Sequence, residues 1–326
     1  PLSGTTSTIT KDILGPVTKI SVSSTTPYKV NDWIIVCASM TAEYIAEHGM
    51  TGWWSTGVKA PHYYRKITAI DAVAKTLTID IPTRYVLKMR DNARVYKVAD
   101  AVTEVGIEEL SVGNLQNPKT TGWGDNDYDI QGTGAYDVEG SHLIQLEFGR
   151  DCWVKNVSTY RPSQNASDYH MLSNGILLTK TRNITVTACD FSRPQYEGGG
   201  GNGYGFTLSG NDDLVENCVS TSARHAYDFK YMFSGGNVIY KCTSNFPRLA
   251  TDFHQHLSAA NLIDNITLNK DFIDAQVRPF GGNDLHGQTT TQSVFWNVIS
   301  TGIATHPQLV ISKQFGYGYT CLLYTS

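Results

Sequence analysis

Charge is scarce in this sequence. Asp, Glu, Lys and Arg make up only 17% of its 326 residues. Long runs of Ala, Glu, Lys and Leu at helical spacing are missing, which excludes helical bundles and α-solenoids. No apolar stretch approaches the about 20 residues that a membrane-crossing helix needs. There is no surplus of positive charge either. The formal net charge is −4 and the isoelectric point about 6.1, so the basic footprint of a nucleic-acid-binding protein is absent. Six cysteines are too few for a disulfide framework at this length. The chain starts at Pro1 with neither Met nor a signal peptide, as expected of a processed, secreted, extracellular protein.

What is present points to β structure. Hydrophobic residues reach 40%, with 29 Gly and 18 Tyr, and Val, Ile, Thr, Tyr and Asn suit pleated surfaces and tight turns. One motif recurs. Asp-Cys-Trp-Val154-Lys-Asn-Val157, Asn-Ile-Thr-Val186-Thr-Ala-Cys189, Asp-Asp-Leu-Val215-Glu-Asn-Cys218 and Gly-Asn-Val-Ile239-Tyr-Lys-Cys242 superpose, as do Asn-Leu-Ile263-Asp-Asn-Ile266 and Ser-Val-Phe295-Trp-Asn-Val298. The anchors are 32, 29, 24, 24 and 32 residues apart, a solenoid period with loops of varying length. Ile107-Glu-Glu-Leu110 repeats the pattern 47 residues before Val154, two coils back or one coil with a long loop. Each coil also carries an earlier alternating strand, as in Tyr204–Leu208, Phe229–Phe233 and Phe253–Leu257. Leucine-rich repeats would need a Leu/Asn signature, and propeller blades would be longer. The predicted fold class is all-β, a right-handed parallel β-helix.

Cys189, Cys218 and Cys242 share one position of the repeat and are expected to stack as buried thiols. Asn156, Asn165, Asn183 and Asn265 each open an Asn-x-Ser/Thr sequon and read either as glycosylation acceptors or as turn residues. Residues 1–100 lack the repeat and are expected to form an N-terminal cap with a strand-rich insertion. Strands are predicted over Thr18–Val36 and Lys66–Ile81, a short helix over Thr41–Gly49, and an aromatic loop over Gly52–His62. Residues 101–320 hold the coils. Residues 321–326 correspond to the codons TGT-CTC-TTA-TAC-ACA-TCT of a transposase-type sequencing adapter, so the natural protein is expected to differ beyond Thr320. Recovery of these codons inside a longer reading frame from source DNA would refute that expectation.

Val105-Gly-Ile-Glu-Glu-Leu110, Ser222-Ala-Arg-His-Ala226 and Asp252-Phe-His-Gln-His-Leu-Ser258 carry a resemblance to the pectate-lyase-like superfamily of right-handed parallel β-helices, and more narrowly to a secreted subgroup without characterised activity. It spans roughly Lys66 to Tyr319. It implies the fold and a carbohydrate-active role, but the fold hosts lyases, hydrolases, phage tailspikes and inert surface proteins alike. The calcium-binding aspartates of true pectate lyases have no counterpart here.

Counting 11 residues back from the anchors places Asp228, Asp252 and Asp284 in one column. Lys230, His254 and His286 fall in the next, and Met232, His256 and Gln288 in a third. Phe229, Phe253 and Leu285 lie between the first two and should point inward. Coils stack ~4.8 Å apart, so these columns predict one outward polar face, which Arg224, His225 and Arg278 join. Gly203, Gly205 and Thr207 in the preceding coil, after the glycine run Gly198–Gly201, predict an open groove.

Such a face suits a lyase on a uronic-acid polymer. Arg224 or Arg278 would meet the carboxylate, Lys230, His225 or His254 would take the α-proton, and His256 or Tyr231 would protonate the leaving oxygen. A glycoside hydrolase would instead use Asp228 with Asp252 for retention, or Asp228 with Asp284 for inversion. No cofactor is firmly implied, although a divalent metal on Asp252, His254 and His256 fits the residue types. The non-catalytic alternatives are a structural or adhesive fibre protein that self-assembles through Pro1–Thr10, and a binding module using Trp53, Trp54, Tyr63 and Tyr64 as a stacking platform.

Overall fold

The computed structural model describes residues 2–99, 101–282, 284–302 and 306–325. Val154, Val186, Val215, Ile239, Ile263 and Phe295 pair in parallel register, one strand on the next. Ile107 pairs directly with Val154, so the 47-residue step is one coil with a long loop. A second parallel sheet stacks His142–Glu147, Asn174–Arg182, Tyr204–Asn211, His225–Lys230, Thr251–Gln255, Ile273–Gln276 and Val310–Lys313. Together these sheets form a parallel β-helix, the all-β fold expected.

The corners follow from backbone sterics. Glu109, Asn156, Ala188, Asn217, Lys241, Asn265 and Asn297 occupy one place in successive coils, and each has φ between 49° and 58°. Asn tolerates this left-handed region best among non-glycine residues, which explains its recurrence. Asn156, Asn183 and Asn265 are thus corner residues. Asn165 is buried, with its side chain bonded to Gln116 N, Asn114 O and Tyr169 O, and offers no acceptor for a glycan. Ala188 gains no such side-chain help. Ala188→Gly is expected to stabilise the fold by about 0.5–1 kcal/mol, the relieved strain exceeding the added chain entropy, read as a higher urea midpoint.

Inside the coils the anchors join Phe206, Tyr227, Phe229 and Phe253 in a continuous apolar core. Phe206 stacks on Tyr227 at 5.0 Å and Phe229 on Phe253 at 4.6 Å. Cys189, Cys218 and Cys242 are buried free thiols in one stack.

The N-terminal region is a six-stranded sheet with its own core around Ile34, Val36, Tyr63 and Val95. Its helix, Ala42–Glu47, is capped by Thr41 Oγ1, which accepts from Tyr44 N. Leu2–Thr8 pairs antiparallel with Arg94–Val98 of the same sheet. Intrachain hydrogen bonds thus already satisfy one edge of this strand, which stands at the end of its sheet. Tyr319–Thr325 adds a parallel strand to Val294–Ser300. Among the described residues no helix is long and apolar enough to cross a membrane.

Candidate functional site

The polar columns exist, but not as an exposed ladder. Asp228 pairs with Asp252 in the sheet, and both are fully buried. The partner of Asp252 in the next coil is Asp274, not Asp284. The count failed because that coil is longer, and its extra residues form a flap in which Arg278 and Gly287 pair antiparallel. Asp284 lies on this flap, where its carboxylate accepts from Ser55 N and Oγ. Leu285 is exposed there instead of inward.

A β-bulge shifts Lys230 opposite Gln255 instead of His254. Beyond it, His256 and Leu257 adopt positive φ. His256 turns away from the cleft, its Nε2 2.8 Å from Asp284 O and its ring edge-on to Trp54 at 5.8 Å; burial pushes its pKa down to about 4. Thr207, expected beside an open groove, is buried and donates to Asp228. Gly205 faces inward against Ser220. The glycine run is not a flexible tether: a Cβ on Gly200 would lie 2.5 Å from Tyr128, so glycine is needed for close packing.

What the chain does assemble is a cleft of about 530 Å³ lined by Arg224, Lys230, Tyr231, His254, Arg278 and His286 together with Tyr128, Asp274 and Phe280. Asp252 lies beneath its floor. Arg278 Nη2 is 2.5 Å from Asp252 Oδ2 and 3.3 Å from Asp274, and His254 Nδ1 is 2.9 Å from Asp252. Burial disfavours the Asp252 carboxylate, but Arg278, His225 and His254 outweigh it and hold the group well below its usual range. His254 Nδ1 faces two opposed partners, Asp252 Oδ2, which accepts, and Arg278 Nη1, which donates, at 3.0 Å; the ionised Asp252 favours the proton on Nδ1, which leaves Nε2 as the acceptor. The Tyr204 hydroxyl lies 3.4 and 3.3 Å from the two ring nitrogens, long for a bond to either.

Burial pushes His254 well below 6.5 despite Asp252, so its imidazole is neutral at neutral pH. His225 is pushed to about 3 by burial, again against Asp252; its Nδ1 contacts Ala250 O at 2.6 Å and its ring stacks on Tyr204. His286 is also lowered by burial and sits 5.1 Å from His254, ring to ring. Burial penalises the Lys230 ammonium, yet Asp228 at 3.5 Å and Tyr204 raise its pKa. Lys230 is therefore a held cation, not a base. Tyr231, expected inward, has φ 70° and lines the cleft.

Arg224 differs from Arg278. It donates to Tyr204 Oη at 3.5 Å, and no carboxylate lies within ion-pair distance of it among the described residues. The N-terminal region braces the flap: Trp54 Nε1 donates to His286 O at 2.7 Å, and Asp284 N to Trp53 O at 2.8 Å. Trp54, Tyr63 and Tyr64 are buried, which corrects the stacking-platform reading. Sequence reasoning missed Asp274, Tyr204 and this bracing; only the alternation of Tyr204 with Phe206 and Leu208 was visible.

His225, Asp252 and His254 offer ligand atoms within 4.8 Å of one another. A divalent ion does not fit there, because the Arg278 guanidinium already lies 2.5 Å from Asp252 and 3.0 Å from His254 Nδ1. His256, the third ligand expected, points elsewhere.

Neither a known family profile nor a curated protein matches the chain. Among solved structures it is similar to the tailspike of Pseudomonas phage phi297, at 12% identity and a TM-score of 0.43, covering 94% of this chain and 58% of that one. It is also similar to the tailspike of Acinetobacter baumannii bacteriophage AP22, solved with a capsular saccharide, at 9% identity and a TM-score of 0.35, covering 98% of this chain and 64% of that one. A third is the tailspike of Pseudomonas phage LKA1, at 10% identity and 0.34. The chain thus spans about three-fifths of the length of the first two.

Proposed function

We propose that this is an extracellular polysaccharide lyase acting on a uronic-acid polymer, in keeping with the resemblance to pectate-lyase-like proteins. The observation that carries the proposal is that a neutral His254, oriented by buried Asp252, opens into the same cleft as Arg224, a cation without an acidic partner. Aromatic walls and cations suit an acidic sugar. Arg224 binds the carboxylate and stabilises the charge that develops as the α-proton leaves. His254 Nε2 takes the C5 proton, the C4–O4 bond breaks, and its former electrons depart with O4 while C4=C5 forms. The Tyr231 hydroxyl protonates O4, and solvent carries the proton from His254 back to Tyr231.

A hydrolase reading is disfavoured by geometry. Asp228 and Asp252 lie sealed beneath the floor, where neither reaches a glycosidic bond.

The test is a panel of alginate, pectate, glucuronan, ulvan and sulfated galactans, with unsaturated products followed in the ultraviolet and reducing ends in parallel. A rise in both supports the lyase. Reducing ends without unsaturation mean hydrolysis, and silence across the panel sinks the enzymatic reading in favour of an adhesive role.

The pH profile is a second check. His254 stays neutral well below 6.5, whereas burial, with Asp252 adding to it, pushes Asp228 up to about 6. As pH falls through that value Asp228 becomes neutral and Lys230 loses its counter-charge. An acid limb near pH 6 is expected in kcat/KM, and Asp228→Asn is expected to flatten it. A limb at 6.5 that survives in Asp228→Asn would assign the titration to a histidine instead.

A further inference from the structure

We propose that the seam between the N-terminal sheet and the β-helix forms a second acidic-sugar site, so that one polysaccharide chain lies across two clefts; the catalytic end of this picture rests on the lyase reading above. The second cleft measures about 520 Å³ and is lined by Lys59, Arg94 and Lys180 along with Tyr96, Phe148 and His62. Among its described lining residues there is no Asp or Glu.

Arg94 makes only neutral contacts. Its Nη1 donates to Ser39 Oγ at 2.9 Å and Asn92 O at 2.7 Å, and its Nε to Tyr96 Oη at 2.7 Å. Among the described residues its charge therefore meets no carboxylate, and with Nε and Nη1 engaged its Nη2 is left to donate to one. Lys180 is partly engaged by Glu147 at 3.3 Å. Cys37 is a neutral wall, since burial pushes its thiol up to about 11 against the opposing charge of Arg94.

The two clefts are physically joined. Tyr231 lines the first cleft, and Phe233 and His62 the second. Tyr231 stacks on Phe233 at 5.2 Å, and Phe233 on His62 at 4.7 Å. The exposed Lys59 bridges them from above, its Nζ 3.9 Å from the centre of the Tyr231 ring and 6.0 Å from that of Phe233. Phe233 is buried, whereas Tyr231 and His62 are partly exposed and are the rings whose edges a sugar can reach. Burial, aided by Lys180 and Arg65, holds His62 neutral with a pKa near 3, and it serves as a stacking surface. A chain whose O4 is protonated by Tyr231 would run from there beneath Lys59 to Arg94.

The experiment is affinity electrophoresis in gels cast with alginate or polygalacturonate, using the wild type, Arg94→Gln, Lys59→Ala and His254→Ala, with polymer and trimer kinetics in parallel. His254→Ala is expected to be retarded like the wild type. Arg94→Gln is expected to lose about tenfold in affinity, the worth of one charged hydrogen bond. Lys59→Ala, at an exposed position that does not threaten folding, is expected to weaken retention in the same direction. For Arg94→Gln, KM for polymer should rise while kcat, and turnover of a uronate trimer too short to span both clefts, stay unchanged. Retention of both variants equal to that of the wild type would overturn the proposal, as would a wild type that neither gel retards. Retention that depends on Arg94 without any unsaturated product would keep the second site and discard the lyase.

Discussion

His254→Ala is expected to lower kcat on the acidic polysaccharide by about 10²–10⁴-fold, the usual contribution of a positioned general base. The residue combines three properties. Burial keeps it unprotonated, Asp252 orients its ring, and it borders the cleft that Arg224 enters. Asp252→Asn should also reduce kcat, because an amide no longer favours the tautomer with the proton on Nδ1. Initial rates at pH 7, alongside melting curves showing that His254→Ala remains folded, provide the measurement. An unchanged kcat would remove His254 from the mechanism and shift attention to His286, a second neutral imidazole that lines the cleft.

Arg278→Ala is expected to destabilise the fold by about 3–5 kcal/mol at pH 7, the cost of stranding a buried charge. Asp252 is fully buried, and Arg278 is the largest influence keeping it ionised against burial. The pH dependence gives a sharper signature. In the wild type the Asp252 pKa is depressed, so its contribution is present above the unfolded value near 3.9 and is lost only as pH falls through the lower folded value. Without Arg278, burial should raise the Asp252 pKa above 3.9. Its penalty then applies at pH 7 and fades as acid protonates it. The gap between wild type and variant should therefore narrow from pH 7 to pH 4.5 in urea titrations. A constant gap would mean that lost packing, not charge, accounts for the cost. Histidines that protonate over the same range are common to both proteins and largely cancel in the difference.

The contrast between Asp252 and Asp284 shows how far local counting reaches. Spacing from the hydrophobic anchors located Asp228 opposite Asp252 because the coils bearing them have equal length and share one core register. It failed at Asp284 because the following coil is longer, and spacing does not say where the added residues leave the sheet. Asp274 is the true neighbour, while the surplus became the flap that carries Arg278 and His286 into the cleft. Arg224 and His225 were placed from their nearness to Asp228, since a strand fixes its close neighbours.

Burial was a different matter. Alternation told which side of the strand Asp228, Lys230 and Asp252 occupy, but not what covers that side. The cover comes from residues far away in sequence: Tyr204 from the preceding coil, the flap from the following one, and Trp53, Trp54 and Ser55, which dock the flap from over 200 positions upstream. The amino-acid sequence by itself determined the β-helix, its corners and its apolar core, because those depend on period, side-chain shape and local backbone sterics. Only the tertiary structure decided that His254 is neutral, that Lys230 is a held cation and that Arg224 enters the cleft with no acidic partner among the described residues. Charge states depend on desolvation and on neighbours brought together by long-range packing, and neither is written in local spacing.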